Sequence, residues 1–323
     1  MLYSAYYFIY RSFLPMDPLS DLLSLLHPTA TISSGFTAGG DWSIDFADQH
    51  GQIKCYAILS GFCWMAVDGV DEPIRLEQGD AFVLPRGGPF RLASDLSLPA
   101  TAAATLFPPA RQGGTVVLGT GETFSLAGAR FAVNESHADL LLGLLPPVVH
   151  LNGEVEQAAL RWAVERMMQE MREALPGARL LAQDLAHMML VQALRAHLAN
   201  ARNLDTGWLA ALADRRLRRA IQSMHAEPAR RWTLQDLGLE AGMSRTIFAT
   251  RFREVMGETP MQYLTRWRML LACDRLEHSA ESITSLASSL GYESISAFST
   301  AFKRVLGQSP QQYKVALEKT RLE

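Results

Sequence analysis

The chain has 323 residues, 48% of them hydrophobic and 20% charged, with three cysteines and a formal net charge of −3. This composition excludes disordered, collagen-like and disulfide-scaffold classes, and the length suits two domains, each able to bury its own core. The charge is unevenly divided: residues 213–323 carry 17 Lys/Arg against 12 Asp/Glu, a net of +5, whereas residues 1–212 carry 13 against 21, a net of −8. A polyanionic partner is therefore expected for the C-terminal piece alone.

Residues 1–10 are rich in aromatics, but Arg11 and Pro15 interrupt the run well before the roughly 20 apolar residues that a membrane helix requires. They also lack the basic start and small-residue cleavage site of a signal peptide. Residues 1–15 read as a disordered or artefactual extension, with Met16 as an alternative start. After it, Leu19, Leu22, Leu23 and Leu26 fall at helical spacing. A chain with no export signal is expected in the cytoplasm, with its cysteines as thiols.

From about residue 31 to 126 short apolar runs, such as 56–59, 63–67 and 81–84, alternate with turns at Ser60-Gly61, Asp68-Gly69 and Gly79-Asp80. This pattern predicts antiparallel β structure in a barrel or sandwich. A two-residue turn at Ser60-Gly61 would pair Cys63 with Ile58 and Cys55 with Ala66, keeping the two sulfurs apart. The period changes from residue 154 to 199. Leu160, Ala163, Val164 and Met167, then Leu181, Leu185, Met188 and Met189, predict two antiparallel helices separated by Pro176-Gly177. Their apolar faces could pack on the β structure or be shared between two chains. The polar stretch that follows predicts a linker, giving a division into 1–15, 16–200, a linker at 201–212, and 213–323.

The last piece contains an internal repeat. Phe248, Phe252, Arg253, Val255, Gly257, Pro260, Gln262 and Tyr263 recur fifty positions later as Phe298, Phe302, Lys303, Val305, Gly307, Pro310, Gln312 and Tyr313. In the first unit Thr233 can cap a helix carrying Leu234, Leu237 and Ala241, Gly242 turns the chain, and Ser244 caps a second helix, a helix-turn-helix layout. The second helix turns Phe248, Phe252 and Val255 inward and leaves Thr246, Ala249, Thr250 and Arg253 outward. In the second unit Ile283, Leu286, Ala287 and Leu290 precede Gly291 and a helix from Ser294 whose outward stripe is Ser296, Ser299, Thr300 and Lys303. Between the units a helix from about 260 to 278, with Met269, Ala272, Cys273 and Leu276 on its apolar face, would be roughly 28 Å long. That length suits two recognition helices about one DNA turn, 34 Å, apart.

These residues resemble the AraC/XylS family of transcription regulators. Its most specific pattern is matched by Ile283-x2-Leu286-Ala287-x3-Gly291-Tyr292-x5-Phe298-x3-Phe302-Lys303-x3-Gly307-x2-Pro310-x2-Tyr313. The resemblance implies promoter DNA and RNA polymerase as partners, an activator role, a homodimer, and base-reading positions at Arg245, Thr246, Ala249, Thr250, Ile295, Ser296, Ser299 and Thr300. Arg245, Arg253, Lys303 and Arg304 suit phosphate contacts. Members often carry Arg where this chain has Thr250 and Thr300, so methyl, hydroxyl or shape readout is expected in place of a bidentate guanine contact.

The N-terminal piece resembles the cupin-type sensor domain of such regulators through Leu59-x-Gly61-x-Cys63-Trp64-x2-Val67-Asp68-Gly69 and Gly79-Asp80-x3-Leu84-Pro85-Arg86-Gly87. The implied fold class is α+β and multidomain: a cupin-like β-barrel with a helical pair, then an all-α double helix-turn-helix domain. Trp42, Tyr56, Trp64 and Phe90 could line a pocket for an unknown small-molecule effector, or serve as plain core. The eight histidines form no HxH or HxxxH pair, and Tyr56 and Phe90 stand where metal-binding relatives place ligands, so no metal, no cofactor and no enzyme activity are expected. The alternatives are a redox sensor acting through Cys55 or Cys63, and a cupin enzyme fused to a DNA-binding module. The piece from Asp214 onward is expected to fold by itself.

Overall fold

The computed structural model describes residues 17–26, 28–47, 52–107, 115–133, 142, 145–152, 154–173, 175–199, 206–279 and 281–320; residues 1–15, expected to be a disordered or artefactual extension, lie outside them. Contacts divide the chain into two compact units, His27–Arg202, and Met1–Leu26 together with Asn203–Glu323.

The first of these is a two-sheet β structure. Its strands are β1 (Thr29–Ala38), β2 (Ser43–Phe46), β3 (Gln52–Ser60), β4 (Phe62–Val67), β5 (Ile74–Glu77), β6 (Ala81–Leu84), β7 (Phe90–Ala93), β8 (Thr101–Ala102), β9 (Thr115–Leu118), β10 (Phe124–Ala132) and β11 (Val149–Leu151). One sheet has the order β11-β6-β3-β10-β1-β9 and the other β5-β4-β7-β2-β8. Pairing is antiparallel except for β1 with β9 and β2 with β8. Phe36, Trp42, Phe82, Phe90, Phe124 and Leu126 meet in the core between the sheets.

The expected hairpin at Ser60-Gly61 is not formed. β3 pairs with β10 and β6, and β4 with β5 and β7, so Ser60-Gly61 is a corner where the chain leaves one sheet for the other. Gly61 has φ +74°, and a Cβ there would lie 2.1 Å from the Thr123 carbonyl oxygen, which leaves room for glycine alone. Cys63 still enters the inter-sheet core, whereas Cys55 alternates with Tyr56 and faces the other side of its sheet; both are buried free thiols. Burial pushes both thiols up to about 12, which suppresses thiolate reactivity.

β4 shows the alternation of a half-covered strand, but residues 53–58 of β3 are all buried. The helices α3 (Glu154–Glu173) and α4 (Ala178–Ala199), which follow the short α2 (Ala103–Leu106), cover the outer face of that sheet. Leu160, Ala163, Val164 and Met167 are buried as expected. On α4 the buried face is instead Ala178, Ala182, Ala186, Met189, Leu190, Ala193 and Leu194, with Leu181 50% exposed and Leu185 and Met188 only half-buried. Small side chains let α4 lie close to its neighbours, which turns the larger ones toward the edge.

The helical unit comprises α1 (Pro18–Leu26), α5 (Trp208–Ala213), α6 (Arg215–Ala226), α7 (Leu234–Ala241), α8 (Arg245–Met256), α9 (Pro260–His278), α10 (Ile283–Ser289), α11 (Ile295–Leu306) and α12 (Pro310–Thr320). Two boundaries therefore differ from expectation. α1 packs on α6 and α9, not within the sensor unit, and the supposed linker contains α5, whose Trp208, Leu209, Ala211 and Leu212 are buried. In α1, Leu19, Leu22 and Leu25 are buried with Asp21, while Leu23 is half-buried, a face rotated from the one spacing suggested.

Candidate nucleic-acid interface

The two repeat units are built alike down to their caps. The Ser244 hydroxyl accepts from the Ile247 N–H at 3.4 Å, and the Ser294 hydroxyl from the Ala297 N–H at 3.1 Å. α8 ends on Gly257 at φ 75° and α11 on Gly307 at φ 76°, a left-handed stop at each. Thr259 with Gln262, and Ser309 with Gln312, then form matching capping boxes that start α9 and α12. Local sequence signals alone account for this doubled frame.

Phe248 and Phe252 are buried under α8, and Phe298 and Phe302 under α11. Val255 is buried, whereas its counterpart Val305 is half-buried. Arg245, Thr246, Thr250 and Arg253 are exposed on α8, and Ile295, Ser296, Thr300, Lys303 and Arg304 on α11; Ala249 and Ser299 are half-buried at the rim of each stripe. Thr246, Thr250 and Arg253, with Ser296, Thr300 and Lys303, thus lie away from the phenylalanines, whereas Arg245 and Ile295, three residues before Phe248 and Phe298, are exposed in the first turn of each helix. Arg245, Arg253, Lys303 and Arg304 enter no ion pair or side-chain hydrogen bond among the described residues.

Several other cations of the unit are engaged. Arg231 pairs with Glu293, Arg266 with Glu258, and Arg275 with Glu281 at 2.6 Å. Arg268 donates to the carbonyls of Pro228 at 2.6 Å and Arg230 at 2.9 Å. Part of the unengaged charge lies on α8 and α11, the helices that also expose small side chains. A further set lies outside the repeat: Arg215, Arg216, Arg218 and Arg219 on α6, all exposed and signalled in the sequence by four arginines around Leu217.

Of the four aromatics proposed for an effector pocket, Trp42, Tyr56 and Phe90 share the inter-sheet core, and Trp64 stands apart from them. Tyr56 and Phe90 are buried in the inter-sheet core, where Tyr56 packs on Phe82 at 5.5 Å and Phe90 stacks on Phe46 at 4.4 Å. Trp64 alternates with Cys63 and Met65 onto the outer face of its sheet, so it lines no interior space. Of the four, Trp42 alone borders a cleft of about 370 Å³, which opens beside β2 and the edge strands β8 and β9 and is also lined by Ser43, Ile44, Leu98, Thr101 and Leu118. The Ser43 hydroxyl there is buried with no hydrogen-bond partner among the described residues. No group of three or more His, Cys, Asp or Glu suited to a metal ion occurs among the described residues, and no described helix is long and apolar enough to cross a membrane.

Two helix-turn-helix units on one shared helix, joined in the chain to a cupin-type β unit, define a DNA-binding transcription regulator. A family model described as a cupin matches residues 17–199, and one described as a helix-turn-helix domain matches residues 237–315. The chain is 40% identical over 283 residues to an AraC-like transcription regulator of Streptomyces lividans, covering 87% of this chain and 92% of that one. It is 30% identical over 287 residues to the HTH-type transcriptional regulator MtrA of Neisseria gonorrhoeae, covering 86% and 91%. Among solved structures, the DNA-binding domain of AdpA in complex with a target DNA is 32% identical and covers 32% of this chain and 94% of that chain, with a TM-score of 0.31. The chain belongs to the AraC family of transcription regulators.

Proposed function

We propose that this regulator reads promoter DNA by laying α8 and α11 into successive major grooves. Arg245, Thr246, Ala249, Thr250, Ile295, Ser296, Ser299 and Thr300 face the bases, and Arg253, Lys303 and Arg304 hold phosphates. The observation that carries this reading is the doubled frame: equivalent caps, buried phenylalanines and outward stripes at an offset of fifty residues. Selection of sites from a random DNA pool tests it. Thr246→Arg is expected to change the preferred bases of one half-site, and Lys303→Ala to weaken binding to every sequence and lower the salt slope by about one. An unchanged consensus for Thr246→Arg would overturn the assigned face.

We further propose that the cupin-type unit serves sensing and dimerisation rather than catalysis, in a cytoplasmic protein that acts with RNA polymerase. Two features of that unit support this. The cleft beside β2 combines Ile44, Leu98 and Leu118 with the unpartnered Ser43 hydroxyl, a lining suited to a small, mostly apolar effector carrying one hydrogen-bonding group. Exposed Leu180 and Leu181 on α4 offer apolar surface to a second copy of the chain. Leu98→Trp, which would fill the cleft, is expected to abolish the effector-dependent change in DNA affinity while leaving effector-free binding intact. Retention of the full response would move the effector elsewhere.

A further inference from the structure

α6 opens on Asp214 and carries Arg215, Arg216, Arg218 and Arg219 in its first five residues. Leu217, Ala220, Ile221 and Met224 form its buried face, and the four arginines, all exposed, cover the rest of the surface at that end. None of them enters an ion pair or a side-chain hydrogen bond among the described residues. This sets them apart from Arg230, Arg231, Arg266 and Arg275 of the same unit, each of which has a glutamate partner.

Helix stability does not account for this arrangement. The N-terminal end of a helix is the positive pole of its dipole and favours acidic side chains, yet the first turn of α6 holds none. The Asp214 carboxylate before it is occupied in capping the Arg216 and Leu217 N–H groups, at 2.9 and 3.3 Å. Like charges also meet one turn apart, Arg215 with Arg219 at i,i+4 and with Arg218 at i,i+3, and such pairs oppose the helix. Packing does not require them either, because any polar side chain fits a solvated position. Residues 213–323 stand at +5, and without these four arginines they stand at +1. Nearly all the excess positive charge of the DNA-binding piece therefore lies in one short segment outside the repeat. That segment adjoins the first helix-turn-helix unit on the side of α8: Asp214 Oδ2 meets Arg251 Nε of α8 at 3.5 Å, and α5 and α7 each pack on both α6 and α8.

We propose that the start of α6 is a third DNA-binding element, a ridge of four arginines that grips backbone phosphates beside the α8 half of the site and supplies most of the protein's sequence-independent attraction for DNA. The proposal rests on the reading of α8 as a helix that enters the major groove. Arginine suits the task, since its planar fork matches two phosphate oxygens at once. At 1.5 Å per residue the ridge spans about 6 Å. A duplex presents roughly three to four phosphate charges over that length of axis, at about one per 1.7 Å. The ridge carries no base information, because phosphates are alike in every sequence, so choice of sequence stays with α8 and α11.

The test compares the full chain with a variant carrying Arg215→Gln, Arg216→Gln, Arg218→Gln and Arg219→Gln, each titrated with a long random-sequence duplex over a range of salt. Each phosphate contact contributes about 0.9 to the salt slope, so the slope is expected to fall by about 2–4 and the affinity at physiological salt by more than tenfold. The consensus selected from a random DNA pool should stay the same. Hydroxyl-radical footprinting of the selected duplex is expected to lose protection beside the α8 half-site and nowhere else. Because the arginines oppose their own helix, the glutamine variant should melt no lower than the wild type, which a purely structural role would not allow. The matching set of four Arg→Lys changes, which keeps the charge, should retain most of the slope. Wild-type binding with an unchanged slope and footprint in the glutamine variant would overturn the ridge and leave the regulator reading standing. Failure of the wild type to bind any duplex would overturn that reading, and the ridge with it.

Discussion

At the scale of single residues, the helical unit is set by its caps. Thr233 and Asp236 exchange hydrogen bonds at the start of α7: the Asp236 N–H donates to the Thr233 hydroxyl at 3.1 Å, and Asp236 accepts from the Thr233 N–H at 3.0 Å and hydroxyl at 2.7 Å. The bond from the Thr233 hydroxyl holds the Asp236 carboxyl below its ordinary value of 3.8. A carboxyl depressed in the folded state contributes stability above its unfolded value and loses it as the pH falls through the folded one. Thr233→Ala is accordingly expected to lower stability at pH 7. The gap between variant and wild type should narrow as acid protonates Asp236, below 3.8. Urea unfolding at pH 7 and pH 3 checks this, and an equal gap at both would show that the carboxylate takes no part in the cap.

At the scale of elements, the repeat specifies a frame and leaves the reading surface free to vary. Phe248, Phe252, Gly257, Pro260 and Tyr263 have counterparts fifty residues on because each fills a position that geometry constrains, either a core contact or a left-handed stop. Arg245 faces solvent where its counterpart is Ile295, so α8 and α11 present different chemistry from one scaffold. On the β side, by contrast, apolar runs indicated where the strands lie but not which strands pair. Register at Ser60-Gly61 depends on neighbours distant in sequence, β10 above all, and no local turn signal encodes them.

At the scale of the whole molecule, the helical unit is assembled from two separated stretches of chain. A piece beginning at Asp214 lacks the buried residues of α5 and α1, among them Trp208, Leu212, Leu19, Leu22 and Leu25. The expectation that it would be self-sufficient is therefore revised. At about 1.5 kcal/mol or more for each large apolar side chain buried, their loss removes several kcal/mol from a domain with only about 5–15 in hand. A fragment of residues 206–323 is expected to melt well above one of residues 214–323, and both below the helical unit within the full chain. Calorimetry checks the order, and equal melting of the two fragments would mean that α5 contributes nothing.

The sequence by itself determined the doubled helix-turn-helix frame, the outward-facing stripes of α8 and α11, the β character of the N-terminal piece and the family. Each of these rests on short-range periodicity, on caps, or on a pattern repeated within the chain. Tertiary structure alone decided the corner at Ser60-Gly61, the alanine face of α4, the outward turn of Trp64 and the seating of α1 on the helical unit. Those depend on which surfaces meet across long stretches of chain. A leucine spacing such as that of Leu19, Leu22 and Leu23 states that a face will be buried and is silent on its partner, because apolar burial is non-directional. Asp21 carried no local signal at all: its bond to His225 exists only where α1 and α6 are folded together.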